Sequence, residues 1–328
     1  MNRFEWVNAT SVDQALASVV PNSQFKAGGI DLLDLMKDGI ATPPRLVNIR
    51  DIDALAHITE NDQGLSLGPL VTLAQIEEHP AIQKKYVALA EAAGRAATPQ
   101  IRNMATVGGN LAQRPRCWYF RSEDFHCRKK GGHHCFAQDG ENEYHAIFDN
   151  RTCAIVHPSG LAVPLVAMNA RLELTSKSGK REVALEKFFI SPEQDVMHEN
   201  TLQPDELITR VFVPASTAQT AYFKQGEKES FDWPLADVAV ALEMQGSRCN
   251  KASVVLGAAA PYPYRAKAAE ARLAGTAIDE ETASAAAKAA VADATPLAKN
   301  RYKVPIFEAI IRRTILRAAG GNALGVSA

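Results

Sequence analysis

Residues 116 to 135 read RCWYFRSEDFHCRKKGGHHC and hold three of the chain's five cysteines and three of its eight histidines. With one more cysteine downstream the pattern becomes C-x9-C-x7-C-x17-C over Cys117, Cys127, Cys135 and Cys153, while Cys249 stands apart. In a reducing compartment such clustering favours metal over disulfides. Four thiolates can hold an iron–sulfur cluster or a tetrahedral zinc ion, and Gly131-Gly132 would let the backbone wrap closely around cluster sulfides. No C-x2-C pair is present, which runs against the usual structural zinc pattern, yet His126, His133 and His134 leave a Cys3His zinc site open. A third reading has no metal at all. Trp118, Tyr119 and Phe120 then serve as ordinary core rather than as a shield around a cluster.

Two glycine turns precede this span. KAGGID (26–31) puts Gly28 and Gly29 between an expected strand and an expected helix, a place where consecutive backbone N–H groups can face one anion. The G-x-G-x-x-G spacing of a dinucleotide-binding Rossmann unit is absent. MATVGGNLAQ (104–113) supplies a second turn, flanked by Thr106 and Asn110. A lone Gly-Gly is most simply a tight turn; two of them suit a phosphate-rich ligand held between two substructures.

The elements that must position these residues alternate at short spacing. Ser11 is placed to cap a helix, with Gln14 completing a capping box. SQFKAGGIDLLDLMKDG reads as strand, glycine turn and apolar helix ending at Gly39, and PRLVNIRDI and GLSLGPLVTL as short strands. TLAQIEEHPAIQKKYVALAEAAGRAAT reads as helix interrupted near Pro80. GLAVPLVAMNARLELTS, REVALEKFF and ELITRVFVP have a strand-rich pattern. A break falls at PASTAQT (214–220), followed by the strands AYFKQGEK, DVAVALEMQ and KASVVLGAAA and by helices in DEETASAAAKAAVADA and VPIFEAIIRRTILRAAGG. The expected organisation is therefore two α+β domains, 1–216 and 217–328, with the cysteine segment (about 114–154) inserted in the first.

Composition bounds the rest. With 36 basic against 37 acidic residues there is no basic excess to recruit a nucleic acid. No apolar run approaches the roughly 20 residues of a membrane-spanning helix, and the N-terminal residues lack the apolar core of a secretory signal. The chain's own sequence points to the cytoplasm, with export alongside a signal-bearing partner as the route to a periplasmic location.

Taken together, FKAGGIDLLDLMK, ATPQIRNMATVGGNLAQ, HPSGLAVPLVAM, ELITRVFVP and FKQGEKESFDWPLADVAVAL resemble the FAD-binding medium subunit of the molybdenum hydroxylases, the family of xanthine dehydrogenase, carbon monoxide dehydrogenase and bacterial aldehyde oxidoreductases. The resemblance covers essentially the whole chain. It implies a vanillyl-alcohol-oxidase-type FAD-binding domain of two sub-domains, followed by a smaller C-terminal α+β domain. It also implies that the first turn, Lys26, Ala27, Gly28, Gly29, Ile30, Asp31 and Leu32, grips the FAD pyrophosphate. Thr106, Gly109 and Asn110 of the second turn join the site, and Ile208 and Lys224 lie near the flavin, where a cation favours the anionic reduced ring. Two departures stand out: Ile30 where threonine is frequent, and Gly160 in HPSG where an aspartate is expected.

The cysteine segment is similar to the insert that carries an extra [4Fe–4S] cluster in 4-hydroxybenzoyl-coenzyme A reductase and periplasmic aldehyde oxidoreductases. That makes Cys117, Cys127 and Cys135 ligands, with Cys153 the natural fourth. The implied function is electron transfer from [2Fe–2S] clusters on a small partner to FAD and an external acceptor, with substrate oxidised at a molybdenum cofactor on a large partner. The cluster is then a conduit, a ferredoxin exchange point or a structural brace. Alternatives are the flavin subunit of a xanthine dehydrogenase or hydroxybenzoyl-coenzyme A reductase type of enzyme, a self-contained flavin oxidase, and a zinc-stabilised nucleotide-binding assembly module.

Overall fold

Three sheets carry the chain, and the computed structural model describes residues 1–320 of it. The first sheet is parallel, built from β1 (Glu5–Asn8), β2 (Gln24–Lys26) and β3 (Arg45–Asn48) in the order β1-β3-β2. The second is antiparallel, from β4 (Ile58–Asn61), β5 (Gly64–Leu67), β6 (Arg171–Ser176), β7 (Gly179–Ala184) and β8 (Leu207–Pro214), ordered β4-β5-β8-β6-β7. Between β5 and β6 lie more than a hundred residues containing both the second glycine turn and all four clustered cysteines. The third sheet, also antiparallel, runs β12-β11-β10-β9 from β9 (Gln219–Gln225), β10 (Ala236–Gln245), β11 (Arg248–Gly257) and β12 (Tyr264–Arg265).

The third sheet is buried on both faces, and the period-2 alternation of its strands decides which residue goes where. Val238, Val240, Leu242, Val254 and Leu256 join the helices Lys267–Leu273, Glu280–Val291 and Lys303–Ala318 in one core. Tyr222, Ala239 and Val255 point the other way, into the core that the five-stranded sheet shares with the helices Leu73–Glu78, Val87–Gly94 and Ala162–Ala167.

Two local expectations are corrected. Ser11 does cap the helix Val12–Ala17, its hydroxyl accepting from Gln14 N at 3.1 Å, but Gln14 Oε1 takes the Thr10 amide at 2.8 Å, so no reciprocal box forms at Ser11. GLAVPLVAM is not a strand: residues 162–167 form a helix in which every residue is buried. A short, uniformly apolar run has no periodicity to separate the two states, and Pro164 is tolerated because a first-turn amide has no intrahelical partner to lose.

The cysteine segment has little regular structure of its own, only the helix Trp118–Arg121 and the 3-10 turn Arg128–Lys130. Its shape is imposed by neighbours. Asn300 Nδ2 donates to the carbonyls of His145 (3.0 Å) and Ala146 (3.1 Å), and Asn150 Nδ2 donates to those of Ala146 (3.0 Å) and Thr295 (2.7 Å). Asn142 accepts from Lys299 N at 2.9 Å and donates to the Ala137 carbonyl at 2.9 Å. Ile147 and Phe148 extend into the C-terminal core.

Lys303, fully buried, completes this seam by donating to the carbonyls of His145 (3.0 Å) and Ala258 (2.6 Å). Burial pushes its pKa from the ordinary 10.5 down to about 7, against the opposing pull of Asp237. Between those two values the unfolded chain keeps a proton that the folded chain has released, so the contribution of Lys303 to stability rises with pH across that window. Urea unfolding of wild type and Lys303→Met at pH 7 and pH 9.5 should show the wild type gaining on the variant at the higher pH. A difference that stays constant would contradict this account of the buried amine.

Candidate functional site

β2 ends at Lys26 because Gly28 and Gly29 follow, and both glycines are required where they stand. Gly29 has φ +80°, and a Cβ on Gly28 would lie 1.9 Å from the Met104 carbonyl oxygen. The first glycine turn is thus pressed against the backbone entering the second. The amides of Gly28, Gly29, Ile30 and Asp31 find no backbone acceptor. Consecutive free amides at a half-exposed turn form a nest suited to an anion. Lys26 and Arg50 add positive charge; burial and the neighbouring Arg50 both lower the Lys26 pKa. Arg50, which spacing did not single out, reaches across to Met104 Sδ at 3.6 Å.

The second turn is built differently. Val107 N donates to Val71 O, Gly108 N to Pro69 O, Gly109 N to the Thr106 hydroxyl at 3.2 Å and Asn110 N to Thr106 O. Its amides are therefore committed within the protein, whereas those of the first turn are open. Asn110 Oδ1 accepts from the Ser159 hydroxyl at 2.6 Å, which ties HPSG to the second turn. Ile30 is 40% exposed, with no polar side-chain atom to offer.

At Gly160 an added Cβ would stand 3.7 Å from the Tyr222 hydroxyl, which donates to Asp237 Oδ2 at 2.9 Å. Asp237 is fully buried, and burial lifts its pKa to about 6 despite the Tyr222 hydrogen bond. An aspartate at 160 would bring a second carboxylate toward this pair, so glycine there has a physical reason. Lys224 is paired in register with Asp237, donates to the Arg95 carbonyl at 2.8 Å and is lowered in pKa chiefly by burial. Ile208 lies in the core of the five-stranded sheet; it is Leu207 that shares a cluster with Ala27 and Leu70 of the turn region.

Asp31 joins the turn to the cysteine segment. Its carboxylate accepts from Arg114 N at 2.8 Å, from Arg121 at 2.7 Å and from Arg116. Arg114 and Lys129 in turn share the buried Glu199, each at 2.7 Å.

Cys117, Cys127, Cys135 and Cys153 line one small cavity, partly open to solvent and walled by Tyr119, Phe120, Phe136, Lys129 and His145. The amides of Phe120 and Tyr119 pull the Cys117 pKa down against burial, those of Ala154 and Ala137 act likewise on Cys135, and that of Ile155 on Cys153. Burial pushes the Cys117 thiol up to about 11. Cys135 is drawn down to about 6 by a hydrogen bond from Cys153, whose own pKa rises for the same reason. No three His, Cys, Asp or Glu side chains among the described residues are arranged around a point where a single metal ion would sit.

Several sequence expectations shift here. His126, His133 and His134 are exposed and none lines the cavity, whereas His145, buried and unremarked by spacing, does. Its position between Cys135 and Cys153 was the available signal. Gly131 (φ +87°) and Gly132 fold the loop onto itself, a Cβ on Gly132 lying 1.8 Å from His126 O, and do not face the sulfurs. Trp118 packs edge-on to His145 instead of walling the cavity. Cys249 is buried in β11, outside the cavity.

A parallel sheet abutting a five-stranded antiparallel sheet, with an amide nest at their junction and a helix-backed third sheet behind, defines a flavoprotein of the mixed α/β type. Residues 2–216 match the FAD binding domain in molybdopterin dehydrogenase, and residues 221–318 match the CO dehydrogenase flavoprotein C-terminal domain. The chain belongs to the family of FAD-binding medium subunits of the molybdenum hydroxylases. It is 32% identical over 320 residues to the aldehyde oxidoreductase FAD-binding subunit PaoB of Escherichia coli (strain K12), covering 96% of this chain and 97% of that one. It is 26% identical over 321 residues to the carbon monoxide dehydrogenase medium chain of Hydrogenophaga pseudoflava, covering 95% and 96%. The solved structure of carbon monoxide dehydrogenase from that organism, lacking the Mo-pyranopterin moiety, superimposes with a TM-score of 0.76 at 28% identity, over 97% of this chain and 98% of that chain. These relatives are oxidoreductase subunits. No helix among the described residues is long and apolar enough to cross a membrane.

Gly28→Ala should force the two turns apart at an overpacking cost of about 1–3 kcal/mol, and flavin content after gel filtration should fall while the far-UV circular dichroism is retained; undiminished flavin would contradict the nest. Asp31→Asn should lower unfolding stability by about 3 kcal/mol, as a buried ion cluster losing one partner does. Asp34→Asn at the 60%-exposed neighbour should cost under about 1 kcal/mol in the same denaturation assay.

Proposed function

We propose that this chain is the FAD-binding electron-transfer subunit of a molybdenum-containing aldehyde oxidoreductase and that it carries an additional [4Fe–4S] cluster on Cys117, Cys127, Cys135 and Cys153. The observation that carries this reading is the joining of the two sites. The cavity lined by all four cysteines sits in a segment clamped onto the flavin turn through Asp31.

The free amides of Gly28, Gly29, Ile30 and Asp31, with the charges of Lys26 and Arg50, suit the FAD pyrophosphate. Ala27 and Leu32 set the ends of that turn. Thr106, Gly109 and Asn110 shape the opposite wall, Lys224 supplies a cation on the side of the third sheet, and Ile208 supports the site from within the core. FAD, when bound, accepts electrons from iron–sulfur centres and passes them to an external acceptor. None of these residues needs to act on the organic substrate.

For the cluster, the four cysteines lining one cavity, its aromatic wall and the nearby amides suit thiolate ligation of an iron–sulfur centre. The partners are a large subunit with the molybdenum cofactor and a small subunit with [2Fe–2S] clusters. The Escherichia coli relative, named an aldehyde oxidoreductase subunit, is the ground for choosing aldehyde over purine or aromatic thioester.

Anaerobically purified protein should contain about four iron atoms and one FAD per chain, as a cluster on four cysteines requires. Dithionite should elicit the paramagnetic signal of a reduced [4Fe–4S] centre, and Cys153→Ser should lose it while keeping FAD. FAD with zinc or without metal would remove the cluster from this reading, and inability to bind FAD would remove the reading itself.

A further inference from the structure

His145 is the one imidazole that reaches a cysteine of the cavity. Its ring is buried, and Nε2 lies 3.3 Å from Cys117 Sγ. The ring is edge-on to Trp118, with centroids 5.2 Å apart at 76°. Its main chain is fixed on the other side, where the His145 carbonyl accepts from both Lys303 Nζ and Asn300 Nδ2 at 3.0 Å. Nδ1 is buried with no partner.

We propose that His145 is the side-chain N–H donor to Cys117 that raises the reduction potential of the centre bound there, an assignment that rests on the four-cysteine reading of the cavity. A neutral imidazole carries one N–H, and the geometry says where. With the proton on Nδ1, a buried N–H would face no acceptor while the Nε2 lone pair faced a thiolate, combining an unsatisfied donor with repulsion. With the proton on Nε2, the thiolate is satisfied and only a weakly demanding acceptor is left unpartnered. In a cluster held by these cysteines, an added electron would place more negative charge on the ligating sulfurs, so an N–H donor at Cys117 would favour the reduced form. No proton is transferred and no bond other than this hydrogen bond changes. His145 is thus a positioning and tuning residue, not a ligand. Cys117 is distinguished from its companions by receiving a side-chain ring donor in addition to backbone amides.

The test is a dithionite titration of the anaerobically purified holoprotein, monitored by paramagnetic resonance, for wild type, His145→Phe and His145→Gln. Phe preserves the ring against Trp118 without a donor; Gln restores an N–H. The expected result is full iron content in both variants, a midpoint potential lowered in His145→Phe and returned toward wild type in His145→Gln. An iron-replete His145→Phe with the wild-type potential overturns the assignment, as does iron loss from both variants, which would make His145 a ligand or a prop. Wild-type protein labelled with ¹⁵N-histidine supplies a readout that needs no variant: a weak nitrogen coupling to the reduced cluster supports donation through hydrogen, whereas a strong coupling or none overturns it. Wild-type protein without iron overturns the four-cysteine reading itself, and is thereby distinguished from an iron-loaded protein whose potential ignores residue 145.

Discussion

The structure turns on the contact between Gly28 and the Met104 carbonyl. Two backbones meet there at a distance that admits no side chain. One belongs to the short parallel sheet and the other to the long excursion between β5 and β6, so a single steric constraint brings together parts of the chain some 75 residues apart in sequence. The two turns that meet there are not alike. Residues 106–110 satisfy their own amides against Val71, Pro69 and Thr106 and become rigid, while residues 28–31 remain unsatisfied and electropositive. A rigid wall opposite an unsatisfied nest is a binding geometry; two satisfied turns would be only a packing contact.

The cysteine segment depends on that junction as much as it extends it. With so little helix or strand of its own, it cannot bury a core independently, and its order comes from ion pairs and hydrogen bonds to what surrounds it. Asp31 draws three donors from residues 114–121, and Glu199 collects Arg114 and Lys129. Positive charge is thereby concentrated beside a cavity whose four sulfurs are neutral or negative according to what they hold. Lys129 already lowers the Cys153 pKa, against the rise imposed by Cys135 and by burial. The segment is electrostatically suited to a pocket of thiolates, with Arg128 and Lys129 both lining the cavity.

Much of this was legible in the residues. The glycine pairs, the cysteine spacing and the alternating strands of AYFKQ, DVAVALEMQ and KASVVLG each have a local physical signature, and local signatures survive folding. Signals that depend on partners did not. GLAVPLVAM could not be told from a buried strand because a uniformly apolar stretch has no period. The inequality of the two Gly-Gly turns lies in which carbonyls happen to stand opposite, information located at Pro69 and Val71 and not in the turns. The three histidines of FHCRKKGGHHC drew attention by adjacency, whereas burial selected His145, ten or more residues away from each.

The buried asparagines at the seam have a further consequence. Asn142, Asn150 and Asn300 engage chiefly main-chain carbonyls or amides, those of residues 137, 145, 146, 295, 297 and 299, the 3.5 Å bond from the Thr295 hydroxyl to Asn150 Oδ1 being the side-chain exception. A contact made to the backbone is indifferent to which amino acid provides it. The fastening of the segment therefore specifies a path through space without specifying the residues along it, and substitutions between the cysteines can accumulate without loosening the attachment. Three amides can in this way preserve the relative placement of four sulfurs while the intervening sequence drifts.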